Sequence, residues 1–132
     1  MPNVFDLAAR PVHLGLGATV TLQPEHDGTL AWYEAYAART SGDGREGRLV
    51  SVHAFDAPWA SWEMHPRGDE LVVCLSGSLT LIQELDGATR RLTLRPHEAA
   101  VNPPGVWHTA DVDGPTTALF ITAGEGTAHR PR

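Results

Sequence analysis

Between Leu49 and Thr122, apolar and polar residues alternate in short runs, and a turn-forming cluster cuts every run. A period of two sends successive side chains to opposite faces of an extended chain, so each run has one face to bury. The alternation predicts strands over 49–55, 59–64, 70–75, 78–85, 89–94, 99–101, 106–112 and 116–122. Their punctuation includes Asp56-Ala57-Pro58, Pro66-Arg67-Gly68, Ser76-Gly77, Asp86-Gly87, Pro103-Pro104-Gly105 and Asp113-Gly114-Pro115. Asp86-Gly87 between two β-rich runs is a hairpin signal, because a tight type I′ turn needs positive φ at both central residues. Strands this short bury a core only by pairing, which predicts an all-β sandwich or barrel with hairpin connections. The 13 glycines and 10 prolines among 132 residues agree: many turns, yet short of low-complexity composition.

Upstream, residues 13–22 alternate loosely and read as one strand ending at Gln23-Pro24. Leu30, Tyr33 and Ala37 follow helical spacing in an alanine-rich stretch, with Asp27 as the expected N-cap and Ser41-Gly42-Asp43-Gly44 as the stop. This is the one substantial helix expected. Residues 124–132 are small and polar and are expected to fray. The expected organisation is one domain overall: residues 1–45 as a strand and helix packing on the barrel, 46–123 as the barrel, and 124–132 as a flexible tail.

Charge narrows the partners. Ten basic residues, all arginine, face 16 acidic ones for a net charge of −6, and no basic cluster is present. A nucleic-acid-coating role is therefore not expected. No apolar run is long enough to cross a membrane as a helix. Residues 1–14 carry Asp6 and Arg10 and no apolar stretch of secretory-leader length. Cys74 is the only cysteine, so an intrachain disulfide and a thiolate cluster are both ruled out. These features predict a cytoplasmic protein, with Cys74 a small buried hydrophobe inside its strand.

Metal-ligating residue types gather in two places. In Glu63-Met64-His65, Glu63 and His65 share one strand face, and the Pro66–Gly68 turn returns Glu70 beside them. In Pro103-Pro104-Gly105-Val106-Trp107-His108, a rigid turn delivers His108 onto a new strand. Two imidazoles and up to two carboxylates converging in a barrel make a mixed N/O site suited to a divalent transition metal: Mn or Fe, with Zn, Ni or Co also compatible.

These residues resemble the cupin superfamily. His65, four residues, Glu70, six residues, Gly77 is similar to the second half of the first cupin motif, and Pro103-x-Gly105-x2-His108 to the core of the second. The resemblance spans a little over half of the chain. It implies a double-stranded β-helix, the cupin jelly-roll barrel, with one short N-terminal helix added here. It also implies a metal held by His65, Glu70 and His108, with Glu63 standing where the family has its first histidine. His97 stands at a turn position where the second motif has glycine, tolerable if φ is positive. Val112 stands where that motif ends in asparagine.

Glu63 has three readings: a fourth metal ligand, a general base beside a two-His, one-carboxylate site, or a pocket-lining group in a barrel that has lost its metal. His53, on the preceding strand, is a candidate acid/base or substrate contact. Trp59, Trp62 and Trp107 read as core and rim packing, and Trp107 and His108 as facing opposite ways. Arg48, Arg67 and Arg95 read as solvated charges, while His13, His26 and His129 read as surface or terminal. Function follows as a metal-binding cupin, an enzyme acting on a small oxygen-containing organic molecule as a dioxygenase, isomerase or lyase. The alternatives are a non-catalytic small-molecule binding or sensing module and a metal-free sugar isomerase or epimerase. A homodimer is the family expectation.

Overall fold

Four of the strands carry an interior face that changes from apolar to polar along its length, and that gradient positions the site. The computed structural model describes residues 3–132; Met1 and Pro2, at the head of the expected 1–45 segment, lie outside the described residues. In chain order the elements are β1 (Val12–Gly15), β2 (Thr19–Leu22), α1 (Leu30–Thr40), a 3₁₀ turn (Ser41–Glu46), β3 (Arg48–Phe55), β4 (Ser61–Met64), β5 (Glu70–Ser76), β6 (Leu79–Leu85), β7 (Ala88–Leu94), β8 (Ala99–Asn102), β9 (His108–Val112), β10 (Thr116–Thr122) and β11 (Ala128–Pro131). They form a six-stranded sheet, β2-β1-β3-β10-β5-β8, and a five-stranded sheet, β11-β4-β9-β6-β7. The two antiparallel sheets and single helix are the all-β barrel expected.

Alternation explains what faces inward. On β5 the buried positions are Glu70, Val72 and Cys74; on β9 they include His108, Ala110 and Val112. On β6 they include Leu79, Leu81 and Gln83, and on β10 Ala118 and Phe120 are buried with Thr122 next on that face. One end of the interior is thus apolar, where Val72, Cys74, Leu79, Leu94, Ala110, Val112, Ala118 and Phe120 pack together. Each large aliphatic side chain buried there contributes about 1.5–3 kcal/mol. The other end is polar because the same strands carry Glu70, His108, Gln83 and Thr122 one or two inward positions further along.

Turns hold this register. Asp86 (φ 52°) and Gly87 (φ 78°) make the tight β6–β7 hairpin, with Leu85 opposite Ala88. Gly77 has φ 76°, and a Cβ there would lie 2.4 Å from the Pro115 carbonyl oxygen, so a side chain is excluded. His97 has φ 75°, the left-handed conformation that the glycine of the motif would otherwise supply.

Several expectations are corrected. The 13–22 segment is a hairpin, not one strand, turning through Gly17 (φ 73°) and Ala18 (φ 57°). Thr29, not Asp27, caps α1 by accepting from the Trp32 N–H; Asp27 instead accepts from the Thr29 N–H and hydroxyl. Within the expected tail, Ala128–Pro131 form a strand: β11 pairs with β4. Side chains anchor it, since Arg130 binds Glu84 at 2.6 Å and lies 4.4 Å from the Trp107 ring centre, and Arg132 binds Asp111 at 2.5 Å. Trp59 and Trp107 lie outside the strands assigned to them, since β4 begins at Ser61 and β9 at His108.

Candidate metal centre

Strand register brings the candidate ligands together. Across the five-stranded sheet one row reads His129, Glu63, His108, Gln83 and Arg90, each opposite the next. Across the other sheet, Glu70 lies between Thr122 of β10 and Asn102 of β8. His65 follows β4 by one residue. Glu63, His65, Glu70 and His108 each offer a ligand atom, and these atoms all lie within 4.8 Å of one another.

The hydrogen bonds around them fix orientation. The Thr127 hydroxyl donates to the Gly124 carbonyl at 2.7 Å, so it accepts from His65 Nδ1 at 2.8 Å. His108 Nδ1 faces the Val106 carbonyl at 3.4 Å, a long contact in which only the nitrogen can donate. Both rings therefore keep the proton on Nδ1 and turn Nε2 inward, the arrangement in which a second partner orients a metal-ligating imidazole. Glu70 accepts from Asn102 Nδ2 at 2.9 Å on one oxygen and from the Thr122 hydroxyl at 2.6 Å on the other. Asn102 is held in turn by Gln83, and Gln83 by Arg90. Glu63 accepts on Oε2 from His129 Nε2 at 3.0 Å, which leaves Oε1 facing the two rings.

The inward nitrogens are close to carboxylate oxygens yet poorly matched to them. His65 Nε2 lies 3.0 Å from Glu63 and 3.1 Å from Glu70; His108 Nε2 lies 3.7 Å and 3.2 Å from the same pair. Neither Nε2 aligns with an oxygen well enough to hydrogen-bond, and both atoms are fully buried. Buried polar atoms ordinarily find partners. Two that converge on one point without them fit a divalent cation, and the two carboxylates match its charge.

Charge coupling is correspondingly strong. Burial works against the His65 cation, but Glu63 and Glu70 outweigh it and raise the imidazole to about 9. Burial opposes ionisation of Glu70 too, and the histidines outweigh it, holding the carboxyl at about 2. Glu63 is held well below the usual carboxylate range, against burial, by His108, His129 and His65.

Above this cluster opens a cavity of about 920 Å³, walled by β3, β10 and Trp59, with Tyr33 and Glu34 of α1 also lining it. His53 lines it, and burial together with His26 lowers its basicity. Burial, with Glu63 and Glu70 adding to it, pushes the Tyr33 hydroxyl up to about 12. Of the three histidines expected at the surface or terminus, His129 is exposed as expected, whereas His13 and His26 are not free surface groups. His13 is buried between the Tyr36 hydroxyl and Asp43, each at 2.6 Å. His26 packs on Trp32, Tyr33 and His53 beside the cavity, and His129 reaches Glu63. Arg48, Arg67 and Arg95 do not line the cavity. Trp59 lies in its wall, while Trp62 and Trp107 hold Arg130.

Sequence reading missed Asn102, Thr122, Gln83, Thr127 and His129 as partners of the cluster. Cross-strand register places Asn102, Thr122, Gln83 and His129, and the Gly124–Thr127 turn places Thr127; no local motif encodes either.

Neither a protein-family model nor a curated protein sequence matches the chain. Solved structures do resemble it. A variant of Bacillus subtilis oxalate decarboxylase superposes with TM-score 0.53 at 19% identity, over 64% of this chain and 23% of that one. A hydroquinone 1,2-dioxygenase solved with Cd2+ and 4-hydroxybenzonitrile gives 0.50 at 15% identity, over 57% of this chain and 56% of that one. A cupin-2 domain protein of Shewanella frigidimarina gives 0.49 at 21% identity, over 64% and 71%. The chain thus matches less than two thirds of either enzyme's own length. At these identities the likeness shows the fold alone, a cupin-type β-barrel.

Proposed function

We propose that the protein is a metal-dependent cupin enzyme acting on a small oxygen-containing organic molecule bound in the cavity above Glu63, His65, Glu70 and His108. The observation that carries the reading is the convergence of four ligand atoms on one point, with two buried Nε2 atoms left without hydrogen-bond partners. His65 and His108 supply the nitrogens, Glu70 a carboxylate braced on both oxygens, and Glu63 the fourth ligand through Oε1. Two carboxylates and two imidazoles favour Mn or Fe over softer ions. When bound, the ion supplies Lewis-acid polarisation or oxygen activation. Dioxygenase, isomerase and lyase chemistry all remain within this reading.

The residues around the ion have separable tasks. Asn102 and Thr122 keep Glu70 from rotating, and Thr127 keeps His65 in one tautomer. His129 holds Glu63 by Oε2, so Oε1 alone is turned to the rings. His53 is kept neutral by burial and serves as proton acceptor on the cavity wall. A homodimer and a cytoplasmic location belong to the same proposal. An edge strand, β2, with Val20 exposed supports the first, and the single buried Cys74 supports the second.

Metal analysis of protein purified without chelator tests this. One Mn or Fe per chain, lost in Glu70→Ala, is expected; no metal even after reconstitution would sink the proposal. Glu63→Gln then separates ligand from base: as a ligand change it weakens metal binding, whereas full metal retention with turnover abolished would reassign Glu63 to proton transfer.

A further inference from the structure

The cavity has a charge pattern that selects its ligand. The chain's only fixed cations are its ten arginines. Among the described residues lining the cavity there is no arginine, whereas Glu34, Glu63, Glu70 and Glu125 are present. Glu63 and Glu70 are turned into the cluster, where their oxygens lie 3.0 and 3.1 Å from His65 Nε2 and 3.7 and 3.2 Å from His108 Nε2. His129 is committed to Glu63, and burial keeps His53 neutral. Arg67 lies outside the lining and faces Glu125 at 3.9 Å. A carboxylate or phosphate entering here meets no guanidinium fork, the group that normally binds such anions in bidentate fashion.

The wall is aromatic. Phe55 and Trp59 lie 5.5 Å apart between ring centres, Trp59 and Phe120 6.0 Å, and Phe55 and Phe120 6.2 Å at 87°. His53 extends this surface, 5.8 Å from Phe120. These are the separations at which rings pack edge-to-face or tilted. Trp59 also sits 6.2 Å from the His108 ring, so the aromatic wall runs down to the proposed metal ligands. Its buried Nε1–H has no hydrogen-bond partner among the described residues, a donor for which a ligand hydroxyl oxygen is a suitable acceptor.

We propose that the cavity takes an uncharged, hydroxyl-bearing aromatic ring and discriminates against carboxylate and phosphate ligands. The inference rests on the metal-centre reading only in that Glu63 and Glu70 are neutralised inside the cluster.

The test is calorimetric titration of Mn(II)-loaded protein, its metal content measured on the same sample, with 2-naphthol, 2-naphthoate and inorganic phosphate. The two naphthyl probes share a ring system and differ in charge. Expected results are that 2-naphthol binds at least tenfold more tightly than 2-naphthoate, that phosphate gives no binding, and that Phe55→Leu weakens 2-naphthol about tenfold. Glu34→Arg, on the exposed face of α1, is expected to narrow the naphthol-to-naphthoate ratio. Equal or tighter binding of 2-naphthoate in metal-loaded protein would overturn the proposal and leave the metal centre standing. So would 2-naphthol binding that Phe55→Leu does not change. A protein that takes up no metal yet keeps the 2-naphthol preference would instead refute the metal centre and support this ligand class.

Discussion

Two buried histidine sites, His13 on β1 of the six-stranded sheet and the pair His65 and His108 beside β4 and β9 of the five-stranded sheet, differ in how their ring nitrogens are satisfied. His13 has both ring nitrogens engaged, Nδ1 by Tyr36 and Nε2 by Asp43, each at 2.6 Å. His65 and His108 each have Nδ1 engaged and Nε2 turned inward without a hydrogen-bond partner. Burial, residue type and nearby carboxylates are common to both. Satisfaction separates them: His13 ties α1 and the 3₁₀ turn to β1, whereas the other pair is assembled for something its own neighbours do not supply. A histidine with complete hydrogen bonding is a structural pin, and one with a buried, unmatched inward nitrogen is a candidate ligand.

The sharpest way to break this contrast is to remove each histidine in turn. His65→Ala and His108→Ala should each weaken Mn(II) binding by about 100-fold or more in a chelator-competition titration. His13→Ala should leave Mn(II) affinity unchanged and lower stability to urea by about 1–3 kcal/mol, the cost of stranding buried partners. Metal loss in His13→Ala of an otherwise folded protein would erase the distinction.

Next in size is Asn102→Ala, which keeps all four ligands and removes a brace from Glu70. It should weaken Mn(II) about 10- to 100-fold, the usual effect of losing a group that orients a ligand. An unchanged affinity would mean that Thr122 alone positions Glu70.

The metal-free protein carries a pH signature of the same cluster. Glu70 is held at about 2 against its ordinary 4.5, so its stabilising contribution is present above 4.5 and fades as pH falls towards 2. His65 is raised from 6.5 to about 9, so its contribution is complete below 6.5 and is lost as pH rises through 9. Thermal melts with chelator should therefore peak between about pH 4.5 and 6.5. Mn(II) should remove the alkaline decline, because the ion replaces imidazolium protons as the positive charge that balances Glu63 and Glu70. A metal-free midpoint that stays level from pH 6.5 to 9 would contradict this coupling.

The smallest effect is expected at His129, which is half exposed and touches Glu63 from outside. His129→Ala should weaken Mn(II) less than tenfold and leave the fold intact by circular dichroism. A loss as large as that of His65→Ala would promote His129 to a ligand.

Much of this was legible in the sequence, for identifiable reasons. Alternation between Leu49 and Thr122 encodes strands directly, and Asp86-Gly87 encodes its own hairpin. Glu63, His65, Glu70 and His108 were recognisable because turn residues sit at fixed offsets beside them. Their partners were not, since Thr122 and Asn102 lie 52 and 32 residues from Glu70 and meet it only through pairing. The β11 strand was hidden for a related reason. Ala128-His129-Arg130-Pro131 has no apolar alternation, and its anchors are the arginine contacts to Glu84, Asp111 and Trp107. His13 was misplaced because its burial depends on Tyr36 and Asp43 of the following helical region.

His65 and His108 turn Nε2 towards one shared ion, which displaces any proton there when it binds, while His13 does not. Imidazole 15N spectra of chelator-stripped protein titrated with Zn(II), a diamagnetic stand-in, test it most directly. Nε2 of His65 and His108 should move to a metal-bound shift at one equivalent, with Nδ1–H retained in both and His13 unmoved. Binding that leaves both Nε2 signals in place, or that shifts Nδ1 instead, would contradict it.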